Sequence, residues 1–136
     1  IMLDLLLALA LSGASDLPRD DLATAMPANF SKLEMAKFRK PMTFNERHER
    51  EAERIAKAAN CALPVVSRWV FAKMHAAMLV SENGEILKII PVENGCPELE
   101  QYTVNHIAKY GSKIAPIPTS REPQWYRTTM NFRWPE

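Results

Sequence analysis

Apolar and polar residues alternate along three stretches in the second half of the chain. The first stretch runs from Val70 to Val80, and a second, from Ile86 to Val92, follows an Asn83-Gly84 pair. The third extends from Trp125 to Trp134. A period of two indicates β-strands, and Asn-Gly between two such runs predicts a hairpin closed by a type I′ turn. The pattern therefore predicts three strands, the first two of them joined as a hairpin.

Helical spacing of apolar residues, bounded by start and stop signals, appears in the intervening segments. Thr43-Phe44-Asn45-Glu46 has the pattern of a capping box, and an apolar stripe follows at 44–59 until Asn60 and Pro64 end it. Pro97 and Glu98 open a second helix, which Lys109 and Gly111 close. A shorter helix is expected over 30–40 before Pro41. The narrow stripe at 44–59 favours a helix packed on the sheet over a free interaction helix.

These elements predict an α+β fold: a three-stranded antiparallel sheet with helices packed on one face and a strand-strand-helix-strand core. The chain of 136 residues divides into a signal peptide at 1–15, a linker with a short helix at 16–42, and the domain at 43–136. One hydrophobic core is expected for a chain of this length.

The N-terminal pattern bears on the compartment. An apolar run at Leu5–Leu11 precedes the small residues Ser12–Ser15, which is the order found in secretory signal peptides. A membrane-spanning helix needs about 20 apolar residues, so we expect no permanent anchor in this run. The alternative is a buried helix of the domain. The first interpretation predicts a periplasmic or secreted protein.

The two cysteines, Cys61 and Cys96, lie just before the first long strand and at the start of the later helix. In an oxidising compartment they would form a disulfide that ties the first helix to the core, whereas in a reducing one they would be buried thiols. Neither cysteine has a histidine at ligand spacing, so we expect no metal site and no cofactor.

Charge and candidate chemistry narrow the function classes. The formal charge is +1, from 17 basic and 16 acidic residues spread along the chain, which disfavours a nucleic-acid partner. The candidate reactive groups form no nucleophile motif, carboxylate dyad or metal spacing. A hydrolase is therefore the less favoured hypothesis, and we expect no enzyme activity. These groups are His75, His106, Glu98, Glu100, Tyr102 and the cysteines.

The region from Phe71 to Trp134 resembles the C-terminal domain of TonB-type energy transducers. The resemblance rests on the hairpin at Ser81–Ile86, the helix opening at Gly95–Leu99, Pro116 after a short interval, and a closing strand of alternating aromatic residues. It implies a periplasmic domain that binds a receptor segment by adding a strand to its sheet edge and takes part in energy-coupled transport. We expect neither an inner-membrane anchor nor a long proline-rich spacer here, which leaves the binding module.

The resemblance and the alternation together predict a partner-binding surface on the closing strand. The residues expected to carry it alternate with the packed ones and are Trp125, Arg127, Thr129, Asn131 and Arg133. The partner would be an envelope protein or an outer-membrane receptor segment. An ordinary solvated strand face is the alternative interpretation of these residues. A small structural or regulatory envelope subunit that forms a homodimer or scaffold is the second functional hypothesis.

Overall fold

Five strands and two α-helices form in the part of the chain that the computed structural model describes, residues 27–112, 114 and 122–136. The predicted α+β class is confirmed. The predicted signal peptide lies outside the described residues. After a 3₁₀ turn at Phe30–Lys32 the elements are, in chain order, β1 (Glu34–Met35), α1 (Glu46–Ala58), β2 (Val65–Val66), β3 (Trp69–Val80), β4 (Ile86–Pro91), α2 (Pro97–Tyr110) and β5 (Gln124–Pro135).

The sheet is mixed and has five strands, not the three antiparallel strands predicted. Its order is β1-β5-β3-β2, and β4 pairs with β3 on the same side as β2. β1 runs parallel to β5, and the other pairs are antiparallel. The twelve-residue β3 is long enough for both short strands to share its outer edge. β1 and β2 have two residues each, too few for an alternating pattern to be recognised.

The core lies between the helices and one face of the β3–β5 pair. This pair is in continuous register from Trp69 opposite Pro135 to Val80 opposite Gln124. α1 packs on β5, and α2 packs on β4 and β3. Burying a large apolar side chain contributes about 1.5–3 kcal/mol. The predicted inward face is confirmed by burial of Ala72, Met74, Ala76, Met78, Val80, Tyr126, Thr128, Met130, Phe132 and Trp134.

The hairpin between β3 and β4 is where it was predicted, but the predicted turn type was wrong. Gly84 has a left-handed φ of 84°, while Asn83 does not, so the type I′ condition of two positive φ values is unmet. The Ser81 hydroxyl instead accepts hydrogen bonds from the N–H groups of Asn83 and Glu85, at 3.2 and 3.1 Å. These bonds stabilise a longer loop. The two consecutive positive φ values occur at Ser67 and Arg68, between β2 and β3.

A bulge changes the predicted faces of β4. Val80 pairs with Ile86, whereas Leu79 pairs with Lys88, so Leu87 is the extra residue. A bulge reverses the facing of the residues on one side of it. The prediction that Ile86 shares a face with Lys88 is therefore wrong, and Ile86 lies instead on the helix side with Ile89.

The cap of α1 also differs from the prediction. The Asn45 side chain, not Thr43, accepts from the N–H groups of Arg47 and His48, at 3.0 and 3.3 Å. His48 Nδ1 accepts in return from the N–H of Asn45 at 3.1 Å. This is a capping box with histidine in place of the usual Glu or Gln. The start of α2 at Pro97 is confirmed, but the helix expected over 30–40 is wrong, because only the 3₁₀ turn and β1 form there.

The cysteine sulfurs of Cys61 and Cys96 lie 2.02 Å apart, at disulfide distance, with their Cα atoms 5.5 Å apart. Cys61 follows the C-terminal end of α1, and Cys96 is the N-cap of α2. The bond thus joins the two helices at one end of the helical layer, as the sequence predicted for an oxidising compartment.

Replacing both cysteines by alanine should lower the free energy of unfolding by about 3 to 4 kcal/mol, because the bond closes a loop of 35 residues. Urea denaturation with and without a reductant measures this. The reductant should destabilise the wild type and leave the double variant unchanged. Equal urea midpoints for all four samples would contradict the prediction.

Gly84→Ala should cost more stability than Gly95→Ala, although both glycines have left-handed φ values, 84° and 89°. A Cβ at Gly84 would meet the backbone oxygen of Ile114 at 2.8 Å, whereas a Cβ at Gly95 would meet nothing within 4 Å. We expect a loss of about 1 kcal/mol at Gly95 and of roughly 2–3 kcal/mol at Gly84, by thermal or urea unfolding. Equal losses would show that the contact with Ile114 is not constraining.

Candidate functional site

The outer edge of β5, the side turned away from β3, has contacts at both ends and, within the described residues, no backbone partner between them. At one end the Ala36 N–H donates to the Arg127 carbonyl at 2.8 Å, which continues the parallel pairing with β1. At the other end the Glu49 carboxylate of α1 accepts from the Arg133 N–H at 3.2 Å. Arg127 and Arg133 therefore both direct backbone groups to this outer edge.

Thr129 and Asn131 lie between Arg127 and Arg133 on β5, and all four occupy every second position of the strand. In an antiparallel ladder every second residue turns both its N–H and its C=O to the same side, so their groups also face the outer edge. Among the described residues, neither residue has a backbone hydrogen bond on that side. We call this stretch, Thr129–Asn131, the edge window.

The five predicted partner-binding residues fall into two groups. Trp125 and Arg127 are half-buried beside β1, and the Arg127 guanidinium donates to the Leu33 carbonyl at 2.7 Å. These two are engaged within the chain. The other three lie in or next to the edge window. Thr129 is half-buried with its hydroxyl 2.8 Å from His75 Nδ1, while Asn131 and Arg133 are exposed.

The sheet face opposite the helices carries an exposed apolar patch near the edge window, made of Val66, Trp69 and Phe71. Val66 is 58% exposed. The Arg133 guanidinium lies 5.1 Å from the centre of the Trp69 ring, a cation–π contact. Sequence analysis missed Val66, because a two-residue strand carries no recognisable alternation. The patch combines apolar area with a cation, the composition of an interaction surface.

A cleft of about 330 Å³ borders the edge window on its helix side. Met42 and Phe44 form one wall, and Thr129, Met130 and Asn131 form the other. The Phe44 ring packs 5.3 Å from the Phe132 ring, which fixes this wall against the core. An extended chain lying along the edge would thus find apolar side chains on one side and Asn131 and Arg133 on the other.

Three of the candidate catalytic groups, His75, His106 and Glu100, are each hydrogen bonded to a different part of the chain. His75 lies on the sheet face opposite the helices, hydrogen bonded to Thr129. His106 lies within the helix layer, where its Nε2–H donates to the Thr43 carbonyl at 2.8 Å. The carboxylate of Glu100 is buried and accepts from the Asn94 N–H at 2.8 Å. Among the other candidates, Tyr102 and His106 are neighbours on α2, with ring centres 6.2 Å apart.

A cluster of rings at the junction of α1 and α2 was not predicted as a unit. The His48 ring centre lies 4.7 Å from that of His106 and 5.1 Å from that of Tyr110. Burial, followed by the charges of Arg47 and Lys109, lowers the pKa of His48 below 6.5. Burial also lowers the pKa of His106. The sequence alone does not reveal this cluster, because its rings come from α1 and α2, which are far apart in sequence.

The described residues contain one cluster of ligand-type side chains, formed by Glu98 and the two cysteines. The Glu98 carboxylate lies within 4.8 Å of both cysteine sulfurs, but sulfurs joined to each other do not supply the thiolates that a zinc site uses. Neither helix of the described chain is long and apolar enough to cross a membrane.

Comparison with known proteins returns no match to any family model, curated protein or solved structure.

His48→Gln should reduce the loss of stability on acidification. His48 Nδ1 must accept the Asn45 N–H, and its pKa in the fold is below the ordinary 6.5. Its contribution is therefore complete above pH 6.5 and is lost as the pH falls through the lowered pKa. Glutamine keeps an acceptor at this helix position but does not titrate.

Urea unfolding between about pH 7.5 and about pH 5.5 measures this effect. The stability of the wild type should fall more steeply than that of the variant. A variant with the same pH slope as the wild type would rule out His48 as the titrating group.

Proposed function

We propose that this domain is a periplasmic protein-binding module that receives an extended segment of an envelope protein at the β5 edge. The observation that carries the proposal is the backbone of Thr129 and Asn131, which has no partner among the described residues on the outer edge between the contacts made by β1 and Glu49. Unpaired N–H and C=O groups in a row on a strand edge are a template for another strand. Strand addition uses them for affinity and the neighbouring side chains for selectivity.

The contacts at the two ends of the edge resemble what a partner strand would make. β1 already adds to β5 as a short strand of the same chain. The Glu49 carboxylate satisfies the Arg133 N–H in the way a partner carbonyl would. A partner centred on the edge window can extend its ladder by displacing Glu49, which is a side-chain contact at a half-buried position. This argues for a short bound segment of a few residues.

The surroundings of the edge window indicate the composition of that segment. Alternate side chains of an added strand would point to the two faces of the sheet. One set would meet Met42 and Phe44, and the other would lie near Lys73 and Arg133. We therefore infer a segment that alternates apolar residues with acidic or polar ones.

Two further observations support an extracytoplasmic setting. The two cysteine sulfurs lie at disulfide distance, and such bonds persist in oxidising compartments. The resemblance of Phe71–Trp134 to TonB-type C-terminal domains favours the periplasm, an outer-membrane receptor segment as the partner, and a connection to energy-coupled transport. A catalytic role is not part of the proposal.

The exposed patch of Val66, Trp69 and Phe71 favours a second candidate, a structural or regulatory envelope subunit that forms a homodimer. Exposed aromatic residues beside an open edge are typical of association surfaces. Light scattering across a concentration series separates the candidates, since a dimer that survives dilution supports the second one. A monomer at all concentrations supports the binding module.

Thr129→Pro should abolish partner capture, whereas Thr129→Ala should retain it. Both variants lose the hydroxyl contact with His75, but only proline removes the N–H that faces the outer edge. This N–H has no partner among the described residues, so proline here breaks no bond of the β3–β5 ladder. We expect recovery from periplasmic extract to fall about tenfold or more with proline.

A photo-crosslinking residue at Asn131 detects the capture, and one at Lys88 on β4 serves as the control position. Circular dichroism and urea unfolding confirm that both Thr129 variants are folded. Equal crosslinking of the partner by the proline and alanine variants would overturn strand addition at this edge.

A further inference from the structure

We propose that the cleft between α1 and α2 binds a small ligand that carries an oxyanion, a carboxylate or a phosphate, on an aromatic or apolar body. The cleft has a volume of about 510 Å³ and lies on the outer side of the helix layer. It is separate from the β5 edge and the exposed patch. Clefts of this size accommodate small molecules.

The charge of the cleft favours an anion. Two of its cations are neutralised, since Arg50 pairs with Glu46 at 3.3 Å and Arg54 with Glu51 at 2.9 Å. Arg47 has no carboxylate partner within 4 Å in the described chain. Lys109 also has no carboxylate partner within 4 Å in the described chain.

Lys109 is exposed near the end of α2, and its Nζ lies 5.3 Å from the centre of the Tyr110 ring. Arg47 stands across the cleft in the first turn of α1. Both charges act on the same buried imidazole, because both lower the pKa of His48. Arg47 and Lys109 thus both line the cleft without a carboxylate partner in the described chain, and an oxyanion bound in the cleft would be attracted to both.

His48, which lines the cleft, has a hydrogen-bond donor without a partner among the described residues. His48 is 6% exposed, and its Nδ1 accepts from Asn45, so the proton of the neutral ring is on Nε2. This Nε2 is buried and has no hydrogen-bond partner among the described residues. Buried polar atoms without partners are uncommon and call for an explanation. An oxyanion bound in the cleft beside His48 would supply the missing acceptor.

The remaining wall suits the body of the ligand. Tyr102, His106 and Tyr110 follow one another at four-residue intervals along α2 and present ring surface to the cleft. The Tyr102 hydroxyl makes only a long 3.4 Å bond to the His48 carbonyl. Burial raises the pKa of this phenol, which keeps it a donor. The three ring surfaces would contact the body of an aromatic acid, and the two cations would attract its oxyanion.

Titration of the whole domain with four compounds, followed by amide and side-chain NMR shifts, tests the proposal. Benzoate and phenyl phosphate carry the two oxyanions on a ring, inorganic phosphate lacks the ring, and benzyl alcohol lacks the charge. Saturable shifts at His48, His106 and Tyr110 with benzoate or phenyl phosphate support the site, and the stronger of the two identifies the oxyanion. Shifts that are equal for benzyl alcohol would overturn it.

The variant Arg47→Gln/Lys109→Gln should weaken binding of the better ligand about tenfold or more. The matched control is Lys37→Gln/Lys88→Gln, which removes the same charge from exposed positions outside the cleft. Its affinity should stay within about twofold of the wild type. Equal weakening in both variants would mean that the ligand senses only net charge and would overturn the site. All four positions are exposed, so both variants are expected to fold.

Discussion

The antiparallel ladder between β3 and β5 is the constraint on which the other parts of this domain depend. It aligns twelve residues of each strand without a break, and so fixes the inward face of both strands at once. A slip of one residue would turn Met74, Met78 and Phe132 away from the helices. The helices, the disulfide that joins them and the short strands on both outer edges all take their positions from this pair.

The same ladder decides which surfaces remain for binding. On its side away from β5, β3 pairs with β2 at Trp69–Val70 and with β4 at Ala76–Val80. Backbone groups of β5 also face its own outer edge. There β1 covers one end and the Glu49 carboxylate covers the other, and the middle has no backbone partner among the described residues. The helix layer, in turn, leaves a cationic cleft where α1 and α2 meet. The two surfaces differ in chemistry, since one offers backbone groups and the other side-chain charge.

The sequence is sufficient to predict the elements that have many residues and a clear period. The inward face of β3 and β5 was predictable on this basis. The start of α2 was predictable from Pro97, a residue with a specific helix-start preference, and the Cys61–Cys96 disulfide was predicted only for an oxidising compartment. Irregular features of one or two residues were not predictable. The β2 turn uses Ser67 and Arg68 with left-handed φ, although neither is a glycine or asparagine, and nothing local signals this. The bulge at Leu87 likewise depends on how β4 meets β3.

The candidate site was predictable only in outline. The alternation placed Thr129, Asn131 and Arg133 on one side of β5, but it could not show that β1 and Glu49 would occupy the edge around them. The cap of α1 illustrates the same limit. His48 serves as the reciprocal capping residue because it is also packed against His106 and Tyr110, a contact between distant segments. Tertiary contacts thus favour the Asn45 cap over the Thr43 cap that the sequence predicted.

The position of β5 in chain order has a consequence for how the domain is made. Every element that β5 contacts is synthesised before it, so the cysteines can meet while the edge of β3 that pairs with β5 still lacks its partner strand. During that interval the apolar sides of α1 and β3 are exposed to the solvent. Central contacts between distant segments also slow folding, because the loop between them must close first. Newly made chains should therefore need protection from aggregation until β5 has been synthesised and has paired with β3. Oxidation of the cysteines alone does not show that the fold is complete.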